Sequence, residues 1–424
     1  MDSSVTLSLI SFAVGSTSLA GVFEREEISV ENQSAGSTLR QAWPLIAFSL
    51  TLRPLVTSVG PVLPEIRDEL GMSATQASLL TVLPVICFAL GAFIVPRLLT
   101  RISPNAGVTI ALLLMAFGGH LRLVHHTSWL LVGTVICGFG AAIGNILGGL
   151  VTRRDFATKV GLVMGMYVGL MSVTSSAAAM TSFPLAHLAG SWRWSLEVWA
   201  ALPILVLIGW MYYSHEHQDN KRMLNRPAYR HIARNKMAWW LVIYFGFQST
   251  NFHSLAGWLP SILRDSGIPP TQAGLMVSLM ILLGVPAGIL VPPLAARSDS
   301  QRFLVIATIT VSFIGLIGVW QAPTLAPWVW ASCLGLGVGS SFPLALTLAI
   351  TKADTTDAAR DLSAFMQSWG YVISAIGPFA LGILRDLTGN WSVAVLALVI
   401  GTFVQLIAGL IISRPGHIHV SASQ

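Results

Sequence analysis

Charge is what this sequence has least of. Asp, Glu, Lys and Arg make up 10% of its 424 residues, against roughly 25% in soluble domains. With 54% hydrophobic residues, the chain reads as a polytopic membrane protein and not as a string of soluble domains. Cysteine is scarce as well: Cys87, Cys137 and Cys333 are the only 3, each inside an apolar run. An odd number without ligand spacing supports neither a disulfide framework nor a zinc site, so they read as small packing residues. The sequence carries no Walker loop, dinucleotide fingerprint or catalytic triad motif. ATP-driven pumping and enzymatic catalysis therefore find no support, and no catalytic residue, metal ligand or cofactor is assigned. The apolar runs are unbroken, which excludes the alternating strands of a β-barrel. The net charge is +6, but the basic residues sit in short loops between spans, where they set orientation. Nucleic acid is accordingly excluded as a partner.

The few charges mark out the spans. Charge-free intervals run 70–96, 102–121, 123–152, 160–192, 198–215, 237–263, 266–296, 303–351, 362–384 and 387–413. The interval 303–351 holds two spans separated by a turn at 322–327. Adding the run around Arg53 gives twelve helices: an all-α membrane protein. Of 24 Lys and Arg residues, Arg67, Arg122, Arg193, Arg264 and Arg385 fall on one side, Arg53 lies within a span, and 18 fall on the other. This bias places both termini in the cytoplasm. Residues 1–40 are expected to be a disordered tail, 41–213 and 237–413 two six-helix halves, 214–236 a basic cytoplasmic linker, and 414–424 a C-terminal tail. Paired histidines at 125–126, 215–217 and 417–419 read as solvent-exposed loop or tail residues.

The halves are related by an internal repeat. At a shift of 196, Leu63-Pro64 falls on Leu259-Pro260, Gly71 on Gly267, and Thr75-Gln76-Ala77 on Thr271-Gln272-Ala273. Val95-Pro96 likewise meets Val291-Pro292, and Arg101 meets Arg297. An even number of spans per half keeps both copies in one orientation, the parallel repeat of a two-half transporter.

Against this background Arg53 stands out. It lies roughly 18 Å along a helix from Gln41, near the middle of a hydrocarbon layer about 30 Å thick. Burying it there costs on the order of 3 kcal/mol. The repeat pairs Arg53 with Ser249 and Thr57 with His253, so the fold itself does not demand an arginine. Two roles are open: contact with a small anion or delocalised oxygen-rich group, or a tie to backbone carbonyls freed by Pro54 and Pro61. The fifth and eleventh helices add polar stripes at i, i+4, i+7: Tyr167, Met171 and Thr174, then Gln367, Tyr371 and Ser374. Gln248, Asn251 and His253 form a further cluster, in which His253 is either a bonded interior histidine or a proton carrier. Gly140, Gly144 and Gly148 make a small-residue stripe beside Asn145. Arg53, Thr57, Asn145, Tyr167, Gln248, Asn251, His253, Gln367 and Tyr371 are the expected substrate-contacting set.

Several segments resemble the cyanate and 2-nitroimidazole transporter family of the major facilitator superfamily. They are Thr51-Leu52-Arg53-Pro54, Gly60-Pro61-Val62-Leu63-Pro64, Leu80-Thr81-Val82-Leu83-Pro84, Gly144-Asn145 with Arg153-Arg154-Asp155-Phe156, Ala364-Phe365-Met366-Gln367 through Gly377-Pro378, and Gly389-Asn390-Trp391-Ser392. The resemblance covers about residues 41–413. It implies the major facilitator fold, a multi-pass location in a bacterial inner membrane, and secondary transport by alternating access. In place of the superfamily's signature aspartate the chain has Pro96 and Pro292, leaving Arg97, Arg101 and Arg297 as the expected gating residues. The preferred reading is a monomeric carrier of a small anionic or polar, cyanate-like solute, whose partners are the lipid bilayer and that solute. The alternative is an exporter of nitroaromatic or drug-like compounds.

Overall fold

The computed structural model describes residues 41–156, 158–216, 232–298 and 300–414. The expected N-terminal tail, the C-terminal tail from 415 onward and residues 217–231 of the expected linker lie outside the described residues.

The first helix, α1, spans Gln41–Leu70. It is followed by α2 (Ala74–Leu98), α3 (Pro104–Leu121), α4 (Thr127–Asp155), α5 (Val160–Leu188) and α6 (Trp192–Glu216). The second half contains α7 (Lys236–Asp265), α8 (Pro270–Arg297), α9 (Arg302–Gln321), α10 (Pro327–Thr351), α11 (Thr356–Thr388) and α12 (Ser392–Ile412). Eleven of these are long and apolar enough to cross a membrane. The other, α7, has 30 residues and is more polar, carrying Gln248, Asn251 and His253. The described residues contain no strand.

The repeat is visible in the backbone. Gly71 and Gly267, one shift apart, both adopt positive φ (61° and 93°) at the ends of α1 and α7. Gly190 and Gly389 do so after α5 and α11, at 69° and 70°. These are the left-handed positions that glycine occupies without steric penalty. Side chains repeat as well. The Trp192 indole donates to Glu69 Oε2 at 2.6 Å, and the Trp391 indole to Asp265 Oδ2 at 2.8 Å. In each half an arginine joins the pair: Arg193 on Glu69 and Arg385 on Asp265. These guanidinium groups also lie over the Trp192 and Trp391 rings.

Each half has its own buried cluster, one built on Phe48, Leu52, Met115 and Trp210, the other on Tyr244, Phe245, Leu348 and Phe365. A third cluster joins the halves, with Val59, Leu63 and Ile66 of α1 meeting Leu255, Trp258 and Leu259 of α7. Between the halves, α2 packs along α11, α5 along α8, and α1 against α7. One end of this seam is latched. Arg264 grips Glu65 through two hydrogen bonds of 2.7 and 3.0 Å and reaches Pro61 O. Asp386 of α11 accepts from the Ala74 and Thr75 amides at the start of α2, a favourable place for a carboxylate because those amides have no intrahelical partner.

Candidate substrate-binding site

The sequence expects one apolar helix around Arg53; the structure breaks it there. The chain is helical through Ser49, passes through a turn at 50–53, and resumes as Pro54–Thr57, a 3₁₀ turn Gly60–Val62 and a final helix Leu63–Leu70. The cause is proline. Pro54 has no N–H to continue the ladder and its ring crowds the preceding turn, and Pro61 and Pro64 repeat the interruption. Arg53 thus becomes the N-terminal flanking residue of a short helix, its carbonyl taken by the Val56 and Thr57 amides at 3.0 Å each.

From this turn the Arg53 side chain enters a cavity between the halves. The cavity is lined by Arg53, Val56 and Thr57 of α1, Thr81 and Phe88 of α2, and Phe252, His253, Ala256 and Gly257 of α7, with a volume of ≈ 20 Å³. A water needs roughly 10–15 Å³ on this measure, so in this conformation the site admits only a very small occupant. The guanidinium carbon lies 5.2 Å from the centre of the Phe252 ring, within cation–π range. Among the described residues no carboxylate, carbonyl or hydroxyl bonds to the Arg53 side chain, and its Nε is buried without a partner.

His253 faces the same space. Its Nδ1 lies 2.8 Å from Ser249 O, with the Ser249 and Ser374 hydroxyls at 3.2 and 3.3 Å. Donation to the carbonyl places the proton on Nδ1 and leaves Nε2 as an acceptor for an occupant. Tyr371 of α11 stands behind, its ring 5.7 Å from Phe88 and 6.2 Å from His253. The Thr57 hydroxyl lies 3.1 Å from Ser175 O and accepts from the Ser175 hydroxyl at 3.3 Å, pinning α1 to α5.

Of the nine expected contacts, the structure brings Arg53, Thr57 and His253 to the cavity, with Tyr371 beside it. The others lie elsewhere in this conformation. Tyr167 is buried against Gly148, where an added Cβ would fall 2.2 Å from its hydroxyl, and that hydroxyl reaches Gly144 O at 3.4 Å. Asn251 donates to Thr402 of α12 at 2.9 Å, and Gln248 to Val338 O of α10 at 3.4 Å. Gln367 donates to Ser363 O in its own helix. Asn145 is half-buried and outside the cavity lining. The gating candidates Arg97, Arg101 and Arg297 are exposed near the helix ends opposite the latch, with Arg97 bonded to Phe93 O of its own helix.

Four lining residues carry no polar signal in the sequence: Val56, Phe88, Ala256 and Gly257. Phe252 adjoins His253, and Thr81 sits in the Leu80–Pro84 segment, but neither stands out by chemistry alone. Ala256 and Gly257 matter through size. A Cβ on Gly60 would fall 2.4 Å from Ala256 O, and one on Gly257 would fall 2.6 Å from Thr81 Cγ2.

Known proteins agree with this architecture. A family model described as Major Facilitator Superfamily matches residues 46–378. The transporter YycB of Bacillus subtilis is 35% identical, over 90% of this chain and 95% of its own. The cyanate transport protein CynX of Escherichia coli is 34% identical, over 82% and 90%, and the 2-nitroimidazole transporter of the same organism 29%, over 87% and 94%. A solved bacterial homolog of the human lysosomal transporter Spinster superposes with a TM-score of 0.71 at 15% identity, covering 88% of this chain and 96% of that one. The chain belongs to the Major Facilitator Superfamily, in the family of the cyanate and 2-nitroimidazole transporters, and is a multi-pass membrane transporter and not an enzyme.

Proposed function

We propose that the protein moves a small anionic or polar delocalised solute, cyanate-like in size and charge, by alternating access, with Arg53 as the group that meets it. One observation carries this reading. Arg53 is an intramembrane arginine held at a cavity between the halves, and among the described residues no group hydrogen-bonds its side chain. Desolvating a guanidinium without a partner is costly, and a small anion supplies the missing charge and acceptors in two places at once. The small cavity favours an occupant of a few atoms. The rings of Phe88, Phe252, His253 and Tyr371 favour a second reading, a flat nitroaromatic compound stacked in a widened form of the same site.

The test is thermal stability in detergent, with and without sodium cyanate or 2-nitroimidazole, for wild type, Arg53→Lys and Arg53→Ala. The anion reading expects cyanate to raise the wild-type Tm and Arg53→Ala to lose that rise while keeping its apo Tm. Arg53→Lys should bind about tenfold more weakly, since a point charge cannot make two parallel bonds. A full cyanate response in Arg53→Ala would sink the assignment, and a response to 2-nitroimidazole alone would favour the second reading.

A further inference from the structure

The sequence counts Arg122 among the loop charges of one membrane face. In the structure it is one of the largest fully buried side chains, 1% exposed, at the C-terminal end of α3. Its Nη1 donates to Leu55 O at 2.7 Å. That carbonyl lies two residues beyond Arg53 and has lost its helical partner, because the Val59 amide bonds to Val56 O instead. Arg122 Nε and Nη2 have no partner among the described residues, and the Cys137 sulfur is a polar neighbour. The side chain is threaded through a close crossing of α3 and α4. A Cβ on Gly133 would fall 2.8 Å from Arg122 Cγ and 2.5 Å from Gly118 O.

The geometry points to Arg122 as the positioning residue of the site: it takes the carbonyl exposed by the break in α1 and thereby holds the Pro54–Thr57 turn so that Arg53 faces the cavity. The role the sequence leaves open for Arg53, tying a carbonyl freed where the helix breaks, is filled at Leu55 O by Arg122, and Arg53 is thereby left for an occupant. The division follows from reach. Leu55 O faces the α3 end, whereas the Arg53 side chain faces α7 and Phe252. A bond from a charged donor to a buried carbonyl is among the stronger neutral-acceptor hydrogen bonds, and among the described residues no other donor meets this carbonyl. Arg122 is not among the residues that line the cavity, so its effect on transport runs through its bond to α1.

The inference rests on Arg53 being the solute contact, but its test does not need the solute. Val56 lines the cavity on the turn that Arg122 holds, so Val56→Cys reports the turn's position. Cys87 and Cys137 are changed to Ser, and native Cys333, half-buried on α10, serves as internal reference. The rate of N-ethylmaleimide labelling at position 56, relative to Cys333, is measured in detergent for this parent and with Arg122→Lys, Arg122→Gln or Arg122→Met. Arg122→Gln and Arg122→Met should change the ratio about tenfold, as expected when one charge-assisted bond holding a local structure is lost. Arg122→Lys, which can still donate to Leu55 O, should keep it within about twofold. A parent-like ratio in Arg122→Gln and Arg122→Met overturns the inference. So does a rise at both cysteines alike, which marks general loosening. If the ratio shifts as expected but cyanate stabilises no version of the protein, the positioning role stands and the anion reading falls.

Discussion

Arg53 and His253 share a cavity whose lining contains no carboxylate. With His253 neutral, the empty site carries the single charge of Arg53, and a monovalent anion brings it to zero. Carrying a neutral site through the membrane core costs less than carrying a charged one. His253 is the one lining side chain whose ordinary pKa, about 6.5, lies near neutrality; the other ionisable neighbours are Arg53 and the Tyr371 phenol. Protonated His253 adds a second positive charge facing the anion, so affinity should rise once acidification puts a proton on the ring. Cyanate-induced stabilisation measured across pH in wild type and His253→Gln checks this. The variant should bind with little pH dependence. An unchanged pH profile in His253→Gln would place the coupling proton elsewhere, with Glu65 next in line at the edge of the seam.

At the scale of one helix, α1 is the element on which the site depends, and its contact with α7 is unusually close. Gly60 lies against Ala256 O, with no room for a side chain. Gly60→Ala should force the helices apart by a few tenths of an ångström and destabilise the latched arrangement by about 1–3 kcal/mol. Spin labels at exposed Asp68 and Leu387, one in each half beside the latch, read this directly. Their distance distribution should extend to longer values in Gly60→Ala, and an unchanged distribution would remove Gly60 from the closure. This element also marks the boundary of what the sequence discloses. Arg53, Pro54 and the repeat mismatch with Ser249 are visible as letters, and they lead to the cavity. The broken geometry is only half visible, since prolines announce an interruption but not which donor will meet the freed carbonyl. Arg122 is 67 residues away, and its loop-like neighbourhood conceals its burial. The polar stripe of Tyr167 misleads for a related reason. Helical spacing places it on one face with Met171, yet the glycines at 144 and 148 make that face a packing surface. Spacing alone does not tell a cavity from a close helix crossing.

At the scale of the whole molecule, the two faces differ in how their arginines are neutralised as well as in how many they hold. On the latched face Arg193, Arg264 and Arg385 are each paired with a carboxylate, respectively Glu69, Glu65 and Asp265, and Arg122 is buried, which leaves Arg67 as the one of its five arginines that is neither fully buried nor ion-paired among the described residues. On the opposite face Arg154 and Arg360 pair with the adjacent Asp155 and Asp361, but Arg97, Arg101, Arg297 and Arg302 are exposed, and no ion pair to any of these four occurs among the described residues. Positive charge that is free to meet anionic lipid and resist translocation is therefore concentrated on one side more strongly than the raw distribution of Lys and Arg suggests. The latched face should accordingly be external, with the Arg97 and Arg297 ends in the cytoplasm. Two single-cysteine variants in a background without the native cysteines decide it. A cysteine at Leu387, which is 77% exposed beside the latch, should react with a membrane-impermeant thiol reagent added to intact cells. A cysteine at Asn225, in the basic segment outside the described residues, should react only after the membrane is permeabilised. The reverse pattern would invert the molecule, make the Glu65–Arg264 latch a cytoplasmic gate, and require the excess of basic residues to lie outside.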